Sequence, residues 1–470
     1  MDSTYNHDTI AAIATGKGNA GIGIVKLSGP KALYIVAGLF KSGKNDKRPE
    51  KGRLPFKSHR LYHGWICSPD NGELIDEVLI GVMLAPHSYT AEDVVEINCH
   101  GGYQSVKIIL EYVLKRGARL SEPGEFTRRA WLNGRIDLCQ AEAVMEIITA
   151  RSRKALEIAG KRLEGEFGKR LKAIRNSAVD IFSELEAGIE FGQEIEAIRD
   201  QNTVGRQIRI DVLRPIQELI RGYHIAQPQV DGLRVAVIGC PNVGKSSLVN
   251  RLISEERVIV SDQPGTTRDR VDISIRIGGL PMILTDTAGL GMSQELLDIA
   301  SMTKTVEYLK DCENILFVLD ASQKISSEEH RIKELVREKN VLVVHNKMDL
   351  VKNSFKPSLP KSWPKWPAVK ISARYDKEFV SLEAAIRKMA QTDNQEGISS
   401  IIPNLRQYEL LEKVKGALER AVHILDSTEE GAPLAVCDLK EAIECLDSAA
   451  GVKVDEDMLE HIFRQFCIGK

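Results

Sequence analysis

No two of the eight cysteines (Cys67, Cys99, Cys139, Cys240, Cys312, Cys437, Cys445, Cys467) form a CxxC pair. The sequence therefore offers neither a zinc site nor a disulfide framework, and a reducing cytoplasm is the expected setting. Aromatic residues make up only 5% of the chain, against 36 glycines, which fits an α/β or helical enzyme better than a base-stacking platform. Neither sign of charge is in excess. With 64 Lys+Arg against 66 Asp+Glu the net charge is −2, which argues against retention on nucleic acid by bulk positive charge. Apolar runs stay short of the roughly 18 residues that cross a membrane. The start, MDSTYNHDTIAAIA, lacks a basic n-region followed by an apolar h-region, so secretion is not expected either. At about 100–200 residues per domain, 470 residues imply about three domains.

Three textures follow one another. From residue 9 to about 130, β-rich runs (TIAAIAT, GIGIVKLSG, LIDEVLIGVML, DVVEINCHGG) precede a helix over SVKIILEYVLKRG. From about 131 to 225, apolar residues recur at helical spacing through LCQAEAVMEIITA and LKAIRNSAVDIFSELEAGI. From 234 to about 393, apolar strands (RVAVIG, MILTDTAG, NILFVLD, VLVVHNKMD, AVKISAR) alternate with helices, the pattern of a parallel sheet covered on both faces. TDNQEGISSIIPN then reads as a linker into a helical end. Helical texture on both sides of the α/β unit points to one helical domain with that unit inserted into it. The expected boundaries are 1–130, 131–226, 227–394 and 395–470.

The strongest motif is GCPNVGKSS, residues 239–247, a GxxxxGK[ST] turn between a strand and a helix. Such a turn aims the backbone N–H groups of Asn242, Val243, Gly244 and Ser247 at phosphates, helped by the positive end of the helix. Lys245 is positioned to bridge the β and γ phosphates and the Ser246 hydroxyl to hold Mg²⁺. Downstream stands DTAG (Asp286, Thr287, Ala288, Gly289), suited to the metal's surroundings and the γ-phosphate. NKMD follows (Asn346, Lys347, Met348, Asp349), and its Asp349 carboxylate accepts two hydrogen bonds from guanine. Adenine offers no such donors and would leave that carboxylate unpaired. SAR (Ser372, Ala373, Arg374) comes next and supplies a contact to the guanine O6. All four in register define GTP binding. In the switch stretch GTTRD, Thr267 is the natural second hydroxyl on Mg²⁺. Leu290 follows DTAG and cannot orient a water molecule as Gln would. Asn242 reads either as a ligand for a monovalent cation beside the phosphates or as a brace for its own loop.

GxPNxGKSS, GTTRD, DTAGL, NKMD and the terminal FCIGK together resemble the MnmE (TrmE) family of tRNA-modification GTPases. TGKGNAGIGIVKLSG, SYTAEDVVEINCHGG and PGEFTRRAWLNGRIDLCQAEAV carry the resemblance across nearly the whole chain. It implies a multidomain α/β plus α fold: an α+β folate-binding N-terminal domain, then a helical domain into which a P-loop GTPase domain is inserted. It further implies a homodimer through the N-terminal domains. A flavoprotein partner, MnmG (also called GidA), joins it to place a carboxymethylaminomethyl group on carbon 5 of the wobble uridine of certain tRNAs. A reduced-folate one-carbon unit, GTP hydrolysis and K⁺ activation belong to that reaction, and the setting is the cytoplasm.

By motif position, the resemblance puts K⁺ on Asn242, Ser261, Gln263 and Thr266, and Mg²⁺ on Ser246 and Thr267. Ser261, Thr266 and Thr267 also join the GTP contacts. 5-Formyltetrahydrofolate falls to Lys26, Glu96, Arg135 and Lys470. Lys26 stands where the family pattern has Arg, and Arg135 where it has Lys. Charge is kept, but only Arg forks onto a carboxylate. Glu96 interrupts an apolar strand and reads as a ligand rather than an exposed-face residue. The family's water-orienting glutamate aligns with Asp298, one methylene shorter, with Glu295 one turn earlier as the substitute. Slow intrinsic hydrolysis is the expectation. Cys467 reads as a nucleophile or as a buried small hydrophobe.

Residues 151–175 hold nine Lys/Arg against three Glu, read as a solvated helix face or as a tRNA-facing surface. Two other function classes share part of these motifs. A ribosome-assembly GTPase of the Era or Der type would add a KH domain or a second G domain, and this sequence has neither a GxxG-bearing basic module nor a second P-loop. A pure regulatory switch would have no use for a one-carbon donor.

Overall fold

The computed structural model describes residues 8–16, 18, 20–43, 56–150, 152–191, 201–230, 232–255, 273–277, 280–285, 312–351, 359–375, 379–390, 401–428 and 431–470. They form two compact units, Met1–Met145, Arg162–Arg214 and Glu409–Lys470 in one, Glu146–Lys161 and Pro215–Tyr408 in the other.

In the first unit, period-two alternation builds a seven-stranded sheet. Its strands are β1 (Ile10–Ile13), β2 (Ile22–Ser28), β3 (Phe40–Lys41), β4 (Arg60–Cys67), β5 (Leu74–Met83), β6 (Val94–His100) and β7 (Arg119–Leu120). The order is β3-β4-β5-β6-β2-β1-β7, antiparallel throughout except for the parallel pair β1/β7. Val25, Leu27, Val78, Ile80, Val82, Val95 and Ile97 face one side. There they join Ile35 and Val36 of α1 (Ala32–Ala37) and Val106, Ile109 and Val113 of α2 (Tyr103–Lys115) in one core. The other side carries Lys26 and Glu96, directly opposite each other across β2 and β6. Leu61 and Leu79 stand on that same side, 67% and 43% exposed.

Helices follow: α3 (Glu125–Leu132), α4 (Leu138–Thr149), α5 (Arg153–Leu163), α6 (Glu166–Phe191), α7 (Gln201–Gln207) and α8 (Arg214–Val230). A π-helical stretch, Ile208–Leu213, separates α7 from α8, a break that the helical spacing of the sequence does not signal. The expected boundary at residue 130 falls inside continuous packing. Ala130, Ile136, Leu138 and Ala141 share one apolar cluster with Leu459, Ile462, Phe463 and Phe466 near the C-terminus. Trp131 leans on Phe463 in the same place. The chain's last residues dock beside α3, where the Phe126 N–H donates to Lys470 O at 3.2 Å. Gly469 makes this approach possible. Its φ is +95°, and a Cβ there would stand 2.6 Å from Ile13 O.

An ion network fixes α3. Arg129, 3% exposed, donates to Asp8 Oδ1 (2.5 Å), Glu125 Oε1 (2.9 Å) and Glu92 (3.3 Å). Arg119 forks onto Glu125 at 2.7 and 3.1 Å and also reaches Asp8. Of the basic stretch, Arg162 is buried over the Phe167 ring and Arg175 pairs with Asp447, so these two cations serve the fold. Arg153 and Lys154 approach Glu157, and Arg151 lies outside the described residues.

The second unit holds a six-stranded sheet of order β13-β12-β11-β8-β10-β9. Its strands are β8 (Leu233–Ile238), β9 (Ile273–Ile277), β10 (Leu280–Thr285), β11 (Asn314–Asp320), β12 (Asn340–Asn346) and β13 (Ala368–Lys370). All neighbours are parallel but the β9/β10 pair. Alternate residues feed two cores, as a sheet covered on both faces requires. Val235, Val237, Leu316 and Val318 meet Leu248 and Leu252 of α9 (Lys245–Glu255) and Leu382 and Ile386 of a helix at Phe379–Ala390. Ala236, Ile315, Phe317 and Val343 meet Trp363, which stacks on Phe317 with centroids 5.7 Å apart. Between these elements α10 (Ser327–Leu335) opens on a capping box, Ser326 with Glu329. The Phe379–Ala390 helix is α11, followed by α12 (Leu405–Ser427), α13 (Ala432–Ala450) and α14 (Glu456–Arg464).

Arg129→Ala leaves Glu125 and Glu92 without their buried partner. A loss of about 3–5 kcal/mol in urea unfolding is expected. Burial works to raise the Glu125 carboxyl, but bonds from Arg119, the Glu122 N–H and Arg129 outweigh it and hold it below its ordinary 4.5. A lowered carboxylate stabilises above the unfolded value, so the contribution is complete above pH 4.5 and is lost as pH falls below it.

Candidate functional site

The phosphate loop grows out of β8. Val243 is buried in the sheet core and pins the middle of the turn. Gly244 has φ +97° because the turn passes close under the guanine-type loop, and a Cβ there would lie 2.2 Å from Asn346 Nδ2. From the first turn of α9, the Lys245 ammonium donates to Gly239 O and Cys240 O, both at 2.8 Å, and closes the loop on itself. Burial pushes this ammonium below its ordinary value, partly offset by Cys240 and Glu328. An anion at the loop favours the charged form again. Ser246 and Ser247 lie in the same turn, where helix N–H groups are unpaired by the helix itself.

Asn346 and Lys347 stitch this loop to its neighbours. Asn346, 2% exposed at the end of β12, donates from Nδ2 to Val243 O at 2.9 Å and accepts from the Ala373 N–H at 3.0 Å. Lys347 Nζ donates to Asn242 O at 2.6 Å and to Asp320 Oδ2 at 2.7 Å. The Ser372 hydroxyl donates to Asp349 Oδ1 at 2.6 Å and so orients a carboxylate that is itself exposed. Arg374 is exposed beside it. Asn242, Val243, Gly244, Lys245, Asn346, Lys347, Asp349, Ser372 and Ala373 thus come together at the carboxyl ends of parallel strands, where open α/β sheets bind ligands. Ser261, Gln263, Thr266, Thr267, Asp286, Thr287, Ala288, Gly289, Glu295 and Asp298 lie outside the described residues.

A second constellation lies in the first unit. Lys26 is 7% exposed, its ammonium 4.2 Å from the Tyr89 ring centroid and 5.0 Å from that of Phe126. Among the described residues no oxygen accepts a hydrogen bond from it. Burial depresses its pKa to about 8, with Glu96 opposing the shift and Lys470 and Arg135 adding to it. Glu96, Arg135 and Lys470, which the family resemblance groups with Lys26 as folate ligands, therefore lie within electrostatic reach of Lys26. Arg135 stands 5.0 Å from the Tyr89 centroid, and the Tyr89 hydroxyl bonds Thr127 at 2.8 Å. Tyr89, Phe126 and Thr127 were not singled out from the sequence, though SYTAED and GEFTRRA contain them. Asp320 was also missed; its signal is a carboxylate closing the apolar run NILFVLD. Cys467 is exposed, which removes the buried-hydrophobe reading.

A parallel sheet whose glycine-rich turn enters a helix, with NKMD and SAR loops at the adjoining strand ends, defines a P-loop GTPase. Two family models match the chain: "GTP-binding protein TrmE N-terminus" over residues 9–135 and "MnmE helical domain" over residues 138–467. The curated tRNA modification GTPase MnmE of Alkaliphilus oremlandii is 38% identical over 99% of this chain and 100% of its own. That of Carboxydothermus hydrogenoformans is 39% identical over 98% and 99%. A solved G domain of the T. maritima FeoB iron transporter aligns with 34% of this chain and 99% of its own, at 22% identity and a TM-score of 0.25. The chain belongs to the MnmE family of tRNA modification GTPases. Matches running from residue 9 to residue 467 leave the Era or Der alternative without support.

Gly244→Ala tests the contact between the two loops. Its Cβ must displace Asn346 and its φ is strained, so a fluorescent GDP analogue should bind at least about tenfold more weakly. Fluorescence titration of the purified chain checks this.

Proposed function

We propose that the chain hydrolyses GTP to drive a tRNA modification. With the flavoprotein partner MnmG (GidA), it adds a carboxymethylaminomethyl group to carbon 5 of a wobble uridine, using a folate one-carbon unit. One observation carries the folate half: the buried Lys26 ammonium, with no oxygen partner among the described residues and Arg135 and Lys470 nearby, fits an anionic ligand. Ser372, which orients Asp349, supports guanine selectivity by the pairing argument above.

In this reading, backbone N–H groups of residues 242–247 and the Lys245 ammonium bind the phosphates, and Asp349 holds the guanine. Ser246 and Thr267 would hold Mg²⁺, and Asn242, Ser261, Gln263 and Thr266 would hold K⁺; these ions supply positive charge where the transition state gathers negative charge. Asp298, or Glu295 in its place, orients the attacking water. Lys26, Glu96, Arg135 and Lys470 bind 5-formyltetrahydrofolate or another reduced folate. The open sheet face bearing Leu61 and Leu79 supports a homodimer through the N-terminal domains. Exposed Lys169 and Lys172 of α6 suit a polyanion such as tRNA. Among the described residues no helix is long and apolar enough to cross a membrane, and the cytoplasm is the proposed location.

Two measurements test the reading. Lys26 titrates at about 8 rather than 10.5, so its charge fades as pH rises through 8. Affinity for 5-formyltetrahydrofolate should therefore fall between pH 7 and 9, and Lys26→Met should abolish both binding and that pH dependence. The linkage to stability runs the other way. Burial of the charged form burdens the fold below pH 8, and this burden lifts as pH rises toward 10.5. GTP turnover should be slow, faster in K⁺ than in Na⁺, and reduced at least about tenfold in Asp298→Ala. Full K⁺-stimulated turnover in Asp298→Ala transfers the role to Glu295.

A further inference from the structure

Among the described residues of the second unit, two non-glycine residues hold a left-handed backbone, Asn242 (φ 64°) in the phosphate loop and Lys347 (φ 62°) in NKMD. Such a conformation is strained for a residue with a Cβ and persists where its surroundings over-determine it. One hydrogen bond joins the two, from the Lys347 ammonium to Asn242 O at 2.6 Å. On its other side the ammonium meets Asp320 Oδ2 at 2.7 Å. Asp320 closes β11, its side chain only 6% exposed, and no phosphate, switch or guanine motif contains it.

We propose that Asp320 is a positioning residue for guanine nucleotide binding, holding the Lys347 ammonium on Asn242 O and so locking the phosphate loop to the guanine loop before nucleotide arrives. The inference rests on reading residues 242–247 and NKMD as the nucleotide site. Lysine carries a flexible stem, and a single carbonyl acceptor leaves much of its rotamer freedom in place. A buried carboxylate on the far side removes that freedom in advance, which lowers the ordering cost of binding. Both groups bond to the backbone and side chains that shape the loops rather than belonging to the hydrolytic motifs, so the effect belongs to affinity rather than to the chemical step.

Asp320 also caps its own turn. Its Oδ1 accepts from the Ser322 N–H (2.9 Å) and hydroxyl (2.6 Å), and Oδ2 accepts from Gln323 Nε2 (3.2 Å). A purely structural role would act through those bonds. Asp320→Asn keeps an oxygen for Ser322 and removes the charge that faces Lys347. Ser322→Ala does the reverse.

The test is a double-mutant cycle on the full chain, read by titration with mant-GDP and by steady-state GTP hydrolysis. Asp320→Asn is expected to raise the mant-GDP Kd and the KM for GTP together, by about 5–20-fold, with kcat within about twofold. In a Lys347→Met background the same substitution should change Kd by less than about twofold. Ser322→Ala should leave Kd within about twofold of the parent. Unchanged affinity in Asp320→Asn overturns the proposal. So does an equal loss in both backgrounds, or a loss in Ser322→Ala that matches Asp320→Asn, since each assigns the effect to the turn. An unaltered Kd in Lys347→Met overturns the nucleotide-site reading itself.

Discussion

The buried Arg129 guanidinium is the joint on which the first unit depends. It draws Asp8, Glu92 and Glu125 to one point and thereby sets the position of α3. That helix carries Phe126, whose ring lies under Lys26 and whose N–H donates to the carbonyl of Lys470. It also carries Thr127, which holds the Tyr89 hydroxyl. A charge cluster of this kind contributes little net stability against an apolar replacement of equal volume. Its value is in specification: few other arrangements satisfy two arginines and three carboxylates at once. The chemistry of the Lys26 pocket then follows from where α3 sits.

The second unit solves a similar problem with neutral groups. Asn346 spends its carboxamide on two backbones, one in the phosphate loop and one in the SAR loop. Three segments distant in sequence are thus fixed relative to one another by a side chain with no charge to desolvate. Both units therefore place a buried polar hub beside the ligand-facing groups rather than among them. The hub carries rigidity, and the facing residues stay free to change partners.

Much of this was legible in the sequence. GCPNVGKSS, NKMD and SAR each end an apolar run, so their convergence at strand ends follows from the parallel sheet that alternation predicts. Strand β4 was missed for a physical reason. Its outward residues Leu61, His63 and Trp65 are nearly as apolar as its inward ones, so the period of two is blurred. Arg129 and Glu125 could not be read as buried, because charge in a sequence reads as surface until a partner distant in the chain is brought to it. The helical segment beginning near residue 131 reads as helix from its spacing, but its packing against Leu459, Ile462, Phe463 and Phe466 does not. Apolar spacing gives the face that is buried and is silent about what covers it.

The tryptophans fall on both sides of this division of labour. Trp131 rests against Phe463 near the terminal docking site, while Trp363 stacks on Phe317 and donates to His330 at 2.9 Å within the nucleotide-binding unit. Each unit consequently carries its own pair of intrinsic fluorophores. The emission of the intact chain is a sum over four rings, Trp65 and Trp131 in the first unit and Trp363 and Trp366 in the second. Replacing both rings of one unit by phenylalanine turns the same spectrum into a record of the other unit alone, without a label attached.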